Sequence, residues 1–154
     1  MYNPIIKNKF IPDVEARVFN DRLYMYGSKD KENGGWCSAE YEVFSTKDFK
    51  TIAEHGVSLR LSEMKNNPAG HLYAPDCIEK DGRYYLFSCC DTGTEWVSEG
   101  KTPIRFEDSS QIEGISGIDP SVFIDDDGQA YLFWGQFSLN GARLTDDMLS
   151  LIHI

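Results

Sequence analysis

Two aspartates stand beside prolines at the start of β-prone runs: Asp13 in Pro12-Asp13-Val14-Glu15 and Asp119 in Ile118-Asp119-Pro120-Ser121. A carboxylate in such a place is either a turn residue bonding local backbone amides or a working group, and either motif alone favours the turn. Their setting changes the balance. Each opens a copy of one repeated unit, and copies arranged about an axis would bring the two acids together. Converging carboxylates suit glycoside hydrolysis, in which one group activates water and another protonates the leaving oxygen.

The elements that must position them are β-hairpins. Ser121 to Ile124 is a short β-prone run, Asp127-Gly128 supplies a turn that tolerates positive φ, and Ala130 to Trp134 returns as an aromatic strand. Upstream, Asp13 to Phe19, the turn Asn20-Asp21 and Arg22 to Gly27 repeat the pattern. Between them lie Tyr73-Ala74-Pro75-Asp76-Cys77-Ile78-Glu79, the turn Asp81-Gly82 and Arg83 to Phe87. Each copy is read as Asp beside Pro, strand, acidic turn and aromatic strand, with Tyr24, Tyr85 and Tyr131 equivalent. Those tyrosines are 61 and 46 positions apart, within or a little above the repeat range of propeller blades.

Further strands follow each hairpin. Glu40 to Ser45 alternates polar and apolar residues, and Ile52 to Leu59 follows as an outer strand. Trp96 to Gly100 is expected as a third strand in the second copy, and Phe137 to Leu144 in the third. Phe106 to Gly117, with its paired serines and two glycines, reads as a loop. No helix of useful length is expected. The blades are placed at about 10–60, 70–115 and 118–150, the last incomplete. Residues 149–154 resemble translated adapter read-through rather than the end of a blade.

Composition sets the outer bounds. A chain of 154 residues can bury one ordinary core, but three four-stranded blades do not close a propeller, which typically needs about four to eight. The whole of 1–154 is therefore read as part of a larger β domain. A formal charge of −10 argues against a nucleic-acid partner, because phosphate binding needs clustered Lys and Arg. No apolar run approaches the roughly 18 residues of a membrane span. The start carries no basic-then-apolar leader pattern, and Cys37, Cys77, Cys89 and Cys90 read as buried reduced thiols, so a cytoplasmic location is expected.

Metal and cofactor signals fail on spacing. Asp125-Asp126-Asp127-Gly128 evokes a calcium loop, but the first and twelfth ligand positions would fall on Phe123 and Trp134. His55, His71 and His153 have no HExxH spacing and no cysteine partners. With no G-x-S-x-G elbow and no phosphate loop either, neither a metal nor a cofactor is expected.

In combination, Asn3-Pro4-Ile5-Ile6, Pro12-Asp13, Tyr73-Ala74-Pro75-Asp76 and Ile118-Asp119-Pro120-Ser121-Val122-Phe123 resemble glycoside hydrolase family 43. The resemblance runs from Asn3 to about Leu144 and implies an all-β, five-bladed β-propeller of which this chain covers about the first three blades. It implies an inverting glycosidase of the α-L-arabinofuranosidase/β-xylosidase type, acting on arabinose- or xylose-containing oligo- or polysaccharides. Asp13 would then be the general base. Asp119 would tune and orient the general acid, itself a glutamate on a fourth blade, so 1–154 alone would be inactive. One departure concerns the base, where the family often has Asp followed by Pro and this chain has Pro12 before Asp13. Glu15, two residues further into the strand, is the poorer candidate.

Tyr73 occupies the family's aromatic position beside the sugar, or else packs the blade. Trp36 and Asp30, on the Gly-rich loop leaving the first blade, are placed as substrate-binding residues against the default of a solvated loop. Asp76 is expected to brace rather than react. The competing class is a carbohydrate-binding or scaffolding propeller without catalysis, and a glutamate at the mouth of a fourth blade would separate the two.

Overall fold

The computed structural model describes residues 4–31, 33–66 and 68–152. Asn3, which opens the lead-in motif, and His153 lie outside the described residues, as do Glu32 and Asn67 of the two polar loops. Twelve strands form three antiparallel sheets of four strands each, every sheet in simple sequential order. The first comprises β1 (Glu15–Phe19), β2 (Arg22–Ser28), β3 (Glu40–Thr46) and β4 (Ala53–Arg60). The second comprises β5 (Leu72–Lys80), β6 (Arg83–Cys90), β7 (Glu95–Thr102) and β8 (Arg105–Gln111). The third comprises β9 (Ser121–Ile124), β10 (Ala130–Trp134), β11 (Asn140–Leu144) and β12 (Leu151–Ile152). The helical content among the described residues is a single 3₁₀ turn, Leu61–Glu63.

The hairpins form for the reasons their turns suggest. Asn20 and Asp21 both take positive φ (50° and 59°), as do Asp81 and Gly82 (54° and 76°), so these two-residue loops match the twist of their strands. The third closes differently: Asp125 N–H donates to Gln129 O and Gly128 N–H to Asp125 O, both at 2.9 Å.

Two sequence expectations are corrected. Residues 106–111 of the expected loop belong to β8, the outer strand of the second sheet. Its buried serine is accounted for across the ladder, since the Ser109 hydroxyl and that of Ser98 in β7 bond each other at 2.7 Å. The second correction concerns register. Tyr24 pairs with Arg17 and Tyr131 with Phe123, whereas Tyr85 pairs with Ile78. Counting back from these partners, Asp13 and Asp119 are equivalent, but Asp76 falls in register with Glu15 and Ser121. A bulge between Tyr73 and Asp76 shifts the residues that precede it in the second copy.

The sheets stack through two cores. Tyr26, Tyr41, Val43 and Leu59 of the first sheet meet Leu72, Cys77, Leu86, Cys90 and Phe106 of the second. Tyr85, Phe87 and Val97 on the opposite face of that second sheet meet Val122, Leu132, Trp134 and Leu144 of the third. This is why residues 84–87 read as an unbroken apolar run: alternate side chains of β6 are buried on opposite faces. The aromatic pair each sheet turns to its successor recurs as Tyr24/Tyr26, Tyr85/Phe87 and Tyr131/Phe133. In the third sheet that face is open, with Phe123 51% and Phe133 37% exposed.

The inner strands β1, β5 and β9 are tied by one ion pair. Arg17 Nη2 lies 2.8 and 2.7 Å from the two Asp76 carboxylate oxygens, and its Nε donates to Oδ1 at 3.0 Å. The same guanidinium donates to Val122 O at 3.2 Å, while Asp76 accepts Val122 N–H at 2.7 Å and Cys77 N–H at 2.6 Å. Asp76 is thus the brace expected, but it braces three sheets rather than one loop. Replacing it by Asn keeps the shape but removes the buried counter-charge, leaving the guanidinium with only the more exposed Glu15, whose Oε1 lies 3.0 Å from Nε. Asp76→Asn is expected to lower stability by about 3 kcal/mol, as for a broken buried pair, read by urea unfolding. A change below about 1 kcal/mol, the worth of a surface pair, would contradict the clamp.

Candidate active site

Asp13 and Asp119 each precede their inner strand by two residues, so the matching register of β1 and β9 puts both at the same end of the stack. Both backbones are left-handed, with φ of 51° and 62°. For Asp119 this precedes a proline, a position that prefers extended backbone. Such strain persists only where surroundings enforce it, and it gathers at functional sites. The Asp119 loop is held by Gly117 N–H donating to Gly93 O at 2.8 Å and by Asp119 N–H donating to Cys89 Sγ at 3.4 Å. Burial pushes the Asp119 carboxyl above its ordinary range, and the negative charge of Asp13 adds to the rise. The two acids are therefore electrostatic neighbours.

The other predicted residues lie at this end too. Burial raises the Cys37 thiol, and the negative charges of Asp30, Asp13 and Asp91 add to that, so all three act on one buried sulfur. Asp30 does structural work, its Oδ1 accepting Cys37 N–H at 2.8 Å and its own N–H donating to Phe10 O at 3.0 Å. Trp36 is 85% exposed, an open aromatic face beside this loop. Tyr73 is half-buried, and its hydroxyl donates to Asp91 Oδ1, which lifts the phenol to about 12. All four cysteines are buried free thiols. Among the described residues no three or more His, Cys, Asp or Glu side chains gather in a way that could hold a metal ion, and no helix is long and apolar enough to cross a membrane.

Two features of this end escaped sequence reasoning. One is the contact of Asp91 with His71. The other is Glu95, the first residue of β7, which pairs with Cys89. It is fully buried and neither carboxylate oxygen has a hydrogen-bond partner. Burial, reinforced by the charge of Asp119, raises its pKa from 4.5 to about 8.

What the fold and site define is a stack of four-stranded β sheets carrying strained, coupled aspartates where its inner strands begin. The chain belongs to glycosyl hydrolases family 43, whose family model matches residues 1–153. It is 35% identical over 150 residues to xylosidase/arabinosidase 43A of Humicola insolens, covering 86% of this chain and 45% of that protein. A xylosidase/arabinosidase of Thermoclostridium stercorarium is 32% identical, with 98% and 38% covered. This chain thus spans less than half the length of these relatives. Among solved structures, a β-xylosidase/α-arabinofuranosidase from a compost microbial metagenome, in complex with xylotriose, superposes with a TM-score of 0.87 at 26% identity. That likeness covers 98% of this chain and 59% of the other.

Glu95 generates a pH prediction. The folded protein keeps its proton to about pH 8, whereas the exposed group ionises near 4.5. Between those values the folded state binds more protons, so stability is full below the lower value and lost as pH rises through the upper one. Glu95→Gln, which cannot titrate, should flatten the fall in urea midpoint over that window. An unchanged slope would show that another group sets it.

Proposed function

We propose that this chain is the N-terminal part of an inverting glycosidase, a five-bladed β-propeller of which the three sheets are the first three blades. Its substrates are arabinose- or xylose-containing oligo- or polysaccharides. The observation that carries the reading is the equivalence of Asp13 and Asp119: same register, same left-handed backbone, and electrostatic coupling, in a family 43 chain whose relatives are named xylosidases and arabinosidases.

In this reading Asp13, the more exposed of the two, is the general base that accepts a proton from water. Asp119, whose affinity for protons burial raises, lies beside the general acid and keeps that group protonated through its negative charge. The acid is a glutamate contributed by a fourth blade, outside these 154 residues. Base and acid would stand roughly 6.5–9.5 Å apart to admit water on the face opposite the leaving oxygen. Trp36 and Tyr73 supply aromatic surface beside the sugar.

Two tests follow. In the full-length enzyme, Asp13→Asn should lower kcat by about 10²–10⁴, the worth of a general base, while product anomers followed by NMR show inversion. Asp119→Asn should lower the upper pKa of the pH–rate profile and move the optimum downwards. A retained anomer removes Asp13 from the role of base, and an unshifted profile removes Asp119 from that of tuner. The second test concerns the open aromatic face of the third sheet. Residues 1–154 expressed alone should aggregate, while the longer protein remains monomeric. A soluble monomer of 1–154 with one cooperative thermal transition would argue against further blades packing there.

A further inference from the structure

The turn after β6 carries Asp91 to the same end as the two aspartates, but away from the inner strand of its sheet, which is β5. Its carboxylate is built into position. Tyr73 donates its hydroxyl to Oδ1, and His71 Nδ1 lies 3.0 Å from Oδ2. Lys31 Nζ is 3.0 Å from His71 Nε2. Lysine can only donate, so Nε2 accepts and the ring hydrogen sits on Nδ1, directed at Asp91. Gly70, with φ of +110°, completes the seat, because a Cβ there would collide with the Asp91 carboxylate. The Tyr73 hydroxyl, with His71 in support, holds Asp91 below the usual carboxylate range, so it stays an acceptor.

A carboxylate offers about four acceptor sites, two on each oxygen. The Tyr73 hydroxyl and the His71 ring take one site on each oxygen and the His71 backbone N–H adds to them, which leaves the outward-facing remainder open. The side chain remains 36% exposed, so those sites face water. Outward-facing acceptor capacity on a rigid carboxylate suits the O–H donors of a sugar's vicinal diol. Trp36, on the loop that also carries Lys31, adds an open apolar face of the kind a sugar ring covers.

We propose that Asp91, fixed by Tyr73, His71 and Gly70, is a specificity-determining clamp for a vicinal hydroxyl pair on the sugar unit across the scissile bond. The placement follows from topology: Asp13 and Asp119 precede inner strands, whereas Asp91 follows the second strand and lies further out. In this proposal a sugar held over the aspartate pair extends its leaving side outward to Asp91. This deepens the glycosidase reading and rests on it.

The test uses the full-length enzyme with xylobiose and an aryl β-xyloside, whose leaving group has no diol. For Asp91→Asn, the ratio of kcat/KM on xylobiose to that on the aryl xyloside should fall roughly ten- to hundredfold, the worth of hydrogen bonds to a charged group. The loss should sit in KM. Gly70→Ala, which displaces Asp91 without altering its chemistry, should change the ratio in the same direction. A brace that merely positions Tyr73 would depress both substrates alike, and an unchanged ratio in both variants overturns the clamp. If the wild-type enzyme cleaves neither substrate, the catalytic reading fails, and calorimetric binding of xylobiose decides the clamp. Weaker binding by Asp91→Asn then supports it; equal binding, or none by either protein, overturns it.

Discussion

The fold depends on how one buried acid is satisfied. Asp76 is almost fully enclosed between the inner strands, and burial pushes its pKa up against the pull of the Arg17 guanidinium and two backbone amides. Those partners come from different sheets. Arg17 belongs to β1 and Val122 to β9, while Cys77 is Asp76's own neighbour in β5. A charge buried without them would cost several kcal/mol, so the three sheets hold their relative positions in order to keep it paired. Because Asp13 and Asp119 lie only a few residues before Arg17 and Val122, the clamp also fixes the distance across the site.

Packing between sheets adds stabilisation without direction. The first two sheets each present an aromatic pair to the next, and each of these pairs meets aliphatic and sulfur-bearing side chains such as Leu86, Cys77 and Leu132. Such contacts tolerate sliding, since apolar burial is proportional to area and largely indifferent to angle. The bidentate pair is not indifferent. A guanidinium meeting both oxygens of one carboxylate has a preferred plane, so a small set of directional bonds sets the register that the larger apolar surface then holds.

Much of this was legible in the chain. Paired turns at Asn20-Asp21 and Asp81-Gly82 located the hairpins, and aromatic runs located the inner faces. Strand β8 was not legible, because an outer strand with one face in water is free to be polar, and its buried serine is satisfied by another serine across the ladder. Asp76 is not equivalent to the two site aspartates because of spacing: it stands two residues before Ile78, the partner of Tyr85, whereas Asp13 and Asp119 stand four before Arg17 and Phe123. A bulge between Tyr73 and Asp76 hid the His71–Asp91 contact. Counted outward from the Asp81-Gly82 turn without a bulge, His71 would pair one residue too far along; with the observed register, Leu72 pairs with Cys90 and His71 falls opposite Asp91. Glu95 escaped for a different reason. A glutamate beginning a strand reads as solvated, and only packing from outside its own strand buries it.

The carboxyl groups at this end are alike in chemistry and unlike in circumstance. Asp91 is held by a phenol and an imidazole and stays below its ordinary range. Asp119 is partly desolvated beside Asp13 and rises above it. Glu95, sealed in without a partner, keeps its proton to about pH 8. The order follows partners and burial: the group held by hydrogen bonds is the readiest to remain charged, and the buried one without a partner is the last to ionise. Such separation lets neighbouring acids do different work at one pH, because a proton placed among them goes to the buried group and leaves the outer ones negative. In the proposed glycosidase, a sugar approaching from solvent would meet charged acceptors first and the strained aspartate pair next, with a neutral acid behind Asp119 that adds no further charge to the crowd.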